Sequence, residues 1–406
     1  MINRKYKKFV YDKKCSLIDV LMCFFVLIDL YFVYEYVTTK NIRNILLAII
    51  ATIFIVCIVI LYVKSCDIQR TLKFLVDRNR WYEIDGDTYT YIPDIEYKKD
   101  KESIVISFGL DGSRISSKEY RNIRETLQDA FNMSCIYAEE SSSRINYKLV
   151  YDNYFDPLHI DENTDYSDYC TEEELKLSKH ITWNFRNVPH ALITGSTGRG
   201  KTFILLYCLR AFRAINAEVV VIDPKGSDLL RLGDALDFDV AYEPNMIAKS
   251  LRKMKETMDQ RYQDFQKVGD DYRSVGLKPC FIVFDEAMSF FSGSAEDKVK
   301  KEAQKAILEI VLKGRQAGTY VIFGSQRGDV SSLGGTGAIR DQLGLRIILC
   351  GNNTSETALE MTLGSDFKHI RPRFHEKGEG LIYLDGVTDI PQDFKAPRLR
   401  NPWIVK

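Results

Sequence analysis

Three clusters of residues in this chain have the types and spacing of phosphate chemistry. Gly195-Ser196-Thr197-Gly198-Arg199-Gly200-Lys201-Thr202 fits the pattern G-x-x-x-x-G-K-[ST]. Glycines at that spacing let successive backbone N–H groups wrap phosphate oxygens, and the N-terminus of a following helix adds a positive dipole end. In such a loop Lys201 reaches the β- and γ-phosphates of a nucleoside triphosphate, and Thr202 ligates Mg2+. The second cluster is Phe281-Ile282-Val283-Phe284-Asp285-Glu286, an apolar run ending in two carboxylates. At the tip of a buried strand Asp285 holds Mg2+ through water, and Glu286 orients and activates the attacking water. A buried strand ending in an acid is commonplace alone; about 80 residues after a phosphate loop it gains meaning. The third cluster is Tyr320–Arg327, a strand ending in a polar pair, which places Gln326 to sense the γ-phosphate. A nucleoside triphosphate and Mg2+ are the implied cofactors.

These side chains need strands and helices to hold them. Ala191–Thr194 reads as the strand before the loop and Phe203–Ala214 as the helix after it. From Lys179 onward strands and helices alternate, which predicts a parallel sheet covered by helices. No internal repeat, Pro-rich linker or low-complexity tract interrupts that alternation.

The chain has 406 residues, 45% hydrophobic and 28% charged, which excludes a disordered chain, a collagen-like repeat and a small disulfide scaffold. Its 56 basic and 56 acidic residues cancel, but unevenly: residues 1–80 carry a net +7, 81–180 a net −11, and 181–406 a net +4. The nine cysteines form no C-x-x-C pair and the five histidines no metal-ligand spacing, which points to a reducing compartment without a zinc site.

The N-terminal region reads as a membrane hairpin. Ile45–Val63 is 19 residues without a charge, long enough to cross hydrocarbon as a helix. Leu17–Val37 is similar in length but carries Asp19, Asp29 and Glu35, of which the internal Asp29 calls for a partner helix or a neighbouring subunit. Lys and Arg cluster before the first span and after the second, while the short loop Thr38–Asn44 holds only Lys40 and Arg43. Both termini and the soluble body are therefore expected in the cytoplasm.

Residues 67–80 read as a short amphipathic helix. After it, Trp81–Glu83, Thr88–Tyr91, Ser103–Gly109, Cys135–Ala138 and Ile145–Tyr151 read as strands around one helix at Ser117–Phe131. Asp152–Glu174 holds nine acidic residues and no Lys or Arg; it reads as a solvated linker or face, without the spacing of a calcium loop.

The ordered motifs together resemble the FtsK/SpoIIIE family of membrane-anchored, ring-forming DNA-pumping ATPases. Pro189-His190-Ala191-Leu192-Ile193 before the loop, Val221-Ile222-Asp223-Pro224-Lys225, Met258-Asp259-Gln260-Arg261-Tyr262, Gly314-Arg315-Gln316-Ala317-Gly318, Gly324–Arg327, Leu345-Arg346-Ile347 and Gly378–Leu381 each resemble a family segment. The resemblance implies a RecA-like motor over 179–406, preceded by a basic tail at 1–14, the hairpin at 15–66 and a small α+β domain with the acidic segment over 67–178. It also implies a homo-hexamer with ATP between subunits and an arginine from the neighbour at the transition state. Arg261 is the first candidate for that arginine, with Arg315 and Arg346 as alternatives. Lys267 and Arg273, and Arg340 in the Gly-rich segment Ser331–Leu343, are the candidate DNA contacts, although Asp270 and Asp271 weaken a simple basic patch. The chain stops about 20 residues after Tyr383, so the family's winged-helix DNA reader is expected to be absent. With two spans and no long linker, the chain resembles the short TcpA-like coupling proteins of conjugative elements, which implies a relaxase and mating-channel proteins as partners. A protein-export motor and a nucleotide-binding membrane scaffold that recruits a relaxase remain as alternatives.

Overall fold

The computed structural model describes residues 7–9, scattered positions between 30 and 53, and residues 67–401 apart from 86–87, 111–118, 268, 330–332 and 335–336. Contacts divide the chain into two units, Met1–Val150 and Tyr151–Lys406. The expected spans Leu17–Val37 and Ile45–Val63 lie largely outside the described residues. Among the described residues no helix is long and apolar enough to cross a membrane.

The first unit is an antiparallel sheet. Its strands are Lys7–Lys8, β1 (Ile95–Lys99), β2 (Ser103–Gly109), β3 (Ser134–Glu140) and β4 (Arg144–Val150), in the spatial order Lys7–Lys8, β1, β2, β4, β3. Strand β1 is an addition to the sequence reading: Glu96 and Lys98 obscure the alternation by which Ile95 and Tyr97 are buried. Of the helix read over Ser117–Phe131, residues 117–118 lie outside the described residues, 119–120 are helical, and after a turn at 121–122 α1 runs from Arg124 to Phe131. Residues 67–79 form the amphipathic helix, burying Ile68, Leu72, Leu75 and Val76. Phe9 N–H bonds Ile95 O, and Gln69 Nε2 donates to Lys8 O at 3.3 Å, so residues 7–9 and the helix from 67 meet the same sheet.

The second unit is an eight-stranded sheet between helices. In chain order its elements are β5 (Ala191–Gly195), α2 (Lys201–Ala214), β6 (Glu218–Ile222), α3 (Asp228–Ala235), β7 (Asp239–Ala241), α4 (Pro244–Asp264), β8 (Cys280–Phe284), α5 (Ala287–Phe291), α6 (Asp297–Ala317), β9 (Thr319–Ser325), α7 (Gly337–Asp341), β10 (Leu345–Leu349), α8 (Glu356–Leu363), β11 (Glu379–Leu384) and β12 (Gln392–Lys395). The strand order is β7-β6-β8-β9-β5-β10-β11-β12. The expected all-parallel sheet is corrected here: the first six strands are parallel, but β11 runs antiparallel to β10 and β12 antiparallel to β11. The central strands are buried on both faces, as parallel strands under helices must be. Ile193, Val221, Phe281 and Ile322 face α2, where the Phe212 ring stacks on Phe281 at 3.7 Å. Leu192, Ile222, Ile282 and Phe323 face the other way, onto Leu251 and Met254 of α4 and Ile307 and Ile310 of α6.

The acidic stretch is not a free linker. His159–Ile160 pairs in parallel with Arg398–Leu399, and Glu174–Lys176 pairs with Thr182–Asn184. Glu172 meets Lys278, and Glu173 meets Arg273 and Arg186. The contacts place the unit boundary at Val150, before the acidic stretch.

Candidate nucleotide site

Adjacent parallel strands end level with one another, so whatever follows them lands together. Ile222 of β6 pairs with Phe284 of β8, which pairs with Phe323 of β9, while Ile193 of β5 pairs with Gly324. The residues just beyond these positions form one row of tips: Asp223–Lys225, Asp285–Glu286, Ser325–Gln326 and the loop after Gly195. That is the edge where open α/β sheets bind ligands.

The loop Gly195–Gly200 turns from β5 into α2, with Ser196, Thr197 and Gly198 exposed at its apex. Gly200 has φ +104°, and a Cβ there would also come within 3.4 Å of the Gly378 backbone. Only glycine adopts that conformation without strain. Lys201 is buried and its Nζ reaches back over the loop, 3.1 Å from Gly195 O. Arg199 offers its backbone to the loop, while its guanidinium donates to His375 O. Thr202 follows in the first turn of α2, half-buried. Beside the start of α2 a cleft is lined by Phe203, Lys377, Gly378, Lys395 and Leu399, with Lys377 Nζ 4.8 Å from the centre of the Phe203 ring. The sequence reading did not single out this cleft, because its residues come from three separate segments.

Asp285 is 5% exposed. Burial pushes its carboxyl up to about 6; the charges of Glu286 and Asp223 add to that rise, and Lys201 opposes it. Its Oδ1 accepts the Glu286 N–H at 2.9 Å. A carboxylate so short of positive charge suits a divalent cation, and Thr202 and Asp285 are the side chains that would hold Mg2+ here. Gly324 makes room for it, since a Cβ at 324 would lie 2.4 Å from Asp285 Oδ1.

Glu286 has φ +49°, a left-handed conformation that is strained for a residue with a side chain and that recurs at functional sites. Its Oε1 lies 3.4 Å from Lys201 Nζ and 3.4 Å from Lys225 Nζ, and Gln326 Nε2 donates to it at 3.2 Å. Burial alone would raise this carboxyl, but Lys201, Gln326 and Lys225 outweigh it and hold it below its ordinary value. Gln326, placed by sequence to sense phosphate, thus rests on Glu286. The sequence reading gave Lys225 no role, although the segment Ile222-Asp223-Pro224-Lys225 carried the signal.

The arginines separate on inspection. Arg261 is not free to reach a neighbour: it is 7% exposed and donates to Ala317 O at 2.8 Å, with Glu218 3.9 Å away. Those partners lie at the strand starts, the edge opposite the phosphate loop. Arg346 is likewise committed, donating to Leu343 O and Leu363 O. Arg315 is exposed on the last turn of α6. Among the DNA candidates Arg273 is withdrawn, because Asp271 and Glu173 both pair with it. Lys267 is exposed, and Arg340 is half-exposed 3.7 Å from Asp341.

A sheet with a phosphate loop at one strand tip and paired carboxylates at another defines a P-loop ATPase domain. Within that class residues 172–280 match the FtsK/SpoIIIE family model. It is 32% identical to the FtsK domain-containing protein YdcQ of Bacillus subtilis (strain 168) over 76% of this chain and 62% of YdcQ. It is 25% identical to the DNA translocase FtsK of Streptococcus pneumoniae (strain ATCC BAA-255 / R6) over 48% of this chain and 27% of that protein. The chain thus spans under two thirds of either relative's length. Its fold is similar to that of the pCW3 conjugation coupling protein TcpA, solved as a monomer with ATPγS, at a TM-score of 0.51 and 19% identity over 81% of this chain and 94% of that one.

Proposed function

We propose that this chain is a membrane-anchored, ATP-driven DNA translocase that serves as the coupling protein feeding DNA to a conjugation channel. The observation that carries the motor reading is the convergence of Lys201, Asp285, Glu286 and Gln326 on adjoining strand tips. The loop N–H groups hold the phosphates, and Lys201 leaves Gly195 O and Glu286 to meet them. Glu286 accepts a proton from the attacking water. Bound Mg2+ offsets the charge on the phosphate oxygens. The nucleoside lies in the cleft beside Phe203. In a hexameric ring Arg315, exposed and uncommitted to its own core, is the arginine presented to the neighbouring site. Lys267 and Arg340, in connections that lead into the strand starts, contact DNA phosphates.

The anchoring part of the proposal has its own support. Because residues 8–9 and Gln69 are hydrogen-bonded within one folded unit, both ends of the interval lie on the same side of a membrane, and any crossing between them comes in an even number, as a hairpin does. Leu30, Tyr34, Val37, Ile49, Ile50 and Ile53 are exposed apolar side chains in that interval, as a lipid-facing surface requires.

The test is ATP hydrolysis by the full chain in detergent, with double-stranded DNA, single-stranded DNA or no polymer, using Glu286→Ala as the blank. Strong stimulation by one DNA form supports the translocase and names its track. Turnover indifferent to both forms, or raised only by a polypeptide, overturns it.

A further inference from the structure

Glu286 is gripped by more positive charge than Lys201 alone supplies. Lys201 and Lys225 approach the same oxygen, Oε1, each at 3.4 Å, from two different elements. Lys201 comes from the first residue of α2. Lys225 comes from the turn after β6, and that turn is built around a buried anchor. Asp223 is fully buried; its Oδ1 accepts Lys225 N–H at 3.0 Å, and its Oδ2 accepts Ser227 N–H at 2.7 Å and the Ser227 hydroxyl. Because β6 and β8 are neighbours in register at Ile222 and Phe284, this fixed turn sets the Lys225 ammonium beside the Glu286 carboxylate.

We infer that Lys225 is a positioning residue for Glu286, holding the carboxylate aimed when a nucleoside triphosphate draws Lys201 away. The inference rests on the ATPase reading above. Of the groups that hold Glu286, Lys201 has a second task at the phosphates, and Gln326 is neutral and exposed. That leaves Lys225 as the remaining cation among the described residues around the carboxylate. The Glu286 side chain is 13% exposed, so solvent screens this pair less than it would a surface pair. Asp285, whose carboxyl the charge of Glu286 raises, repels Glu286, and once Lys201 turns to phosphate Lys225 is the lysine left against the Glu286 carboxylate. A general base displaced by about an ångström loses on the order of a hundredfold in rate. The Lys225 side chain itself is 46% exposed, so replacing it opens no cavity.

The experiment uses the full chain, wild type against Lys225→Ala, Lys225→Met and Lys225→Arg. It measures ATP turnover at saturating nucleotide and, separately, the affinity for a fluorescent ATP analogue. Lys225→Ala and Lys225→Met should lower kcat roughly ten- to a hundredfold, leave the analogue's affinity within about threefold, and melt with the wild type; Lys225→Arg should recover most of the turnover. The Met variant keeps the apolar stem, so its loss reports the charge alone. A kcat within about twofold of wild type overturns the inference, as does a loss of affinity equal to the loss of turnover, which would place Lys225 on the phosphates instead. A wild-type protein with no turnover would sink the ATPase reading itself, a distinguishable failure.

Discussion

Replacing Asp285 by Asn should make the nucleotide-free protein more stable while it abolishes turnover. The folded protein raises this carboxyl to about 6, first by burial and then through Glu286 and Asp223. An unfolded chain holds an aspartate near its ordinary value, about 3.9. Between those values the folded state binds the extra proton, so stability from this group is present below about pH 4 and is lost as pH rises through about 6. A rise of that size corresponds to about 3 kcal/mol by pH 7.5. An amide carries no charge, and its oxygen can still accept the Glu286 N–H that Asp285 accepts at 2.9 Å. The variant should therefore melt higher by several degrees, at about 2–4 °C per kcal/mol for a unit of this size. Thermal unfolding of both proteins in EDTA at pH 7.5 and pH 5 measures this, and the gap should narrow at the lower pH. Adding Mg2+ to either protein with ATP should stabilise the wild type more than the variant, which keeps the loop and Lys201 but lacks one Mg2+ carboxylate. A variant that melts at or below the wild type at pH 7.5 would refute the reasoning, because it would mean that ionised Asp285 is already compensated within the chain.

Two other consequences concern residues that hold the fold. Arg261→Ala should lower unfolding stability by about 1–3 kcal/mol in urea, because it strips a buried carbonyl, Ala317 O, of its donor; unchanged stability with lost turnover would restore Arg261 to the active site. His190 is fully buried, with Nε2 against Val311 O and Nδ1 accepting Val321 N–H, and burial lowers its pKa to about 4. Its folded value lies below its unfolded one, so its contribution is present above about pH 6.5 and is lost as pH falls towards 4, amounting to about 3 kcal/mol. The difference in urea stability between wild type and His190→Gln should shrink by that order between pH 7 and pH 4; a constant difference would show that the imidazole titrates normally.

Local signals were legible because their physics is local. A glycine-rich turn before an amphipathic run, or an apolar run ending in acids, states its own chemistry within eight residues. Locality is why Lys201, Thr202, Asp285, Glu286 and Gln326 could be named as candidates from sequence, together with the alternation of strands and helices around them. What failed was what depends on distant partners. In sequence Arg261 and Arg273 were candidates whose partners stayed open, and folding shows Arg261 donating to Ala317 O and Arg273 paired with Glu173 as well as the nearby Asp271. Whether the acidic stretch was a linker or a face stayed open in sequence, because its cations, Arg273 and Lys278 among them, lie on segments far along the chain.

The sequence by itself determined that a phosphate loop and paired carboxylates exist and that strands carry them, since spacing within a strand or turn fixes backbone conformation. The tertiary structure alone decided strand order, and strand order decides which tips are neighbours. The pairing of β6 with β8 brings Lys225 to Glu286, and the reversal of β11 and β12 builds the cleft beside Phe203. Such pairings join residues scores of positions apart, and their free energy comes from apolar surface buried between strands and helices rather than from anything a local window contains.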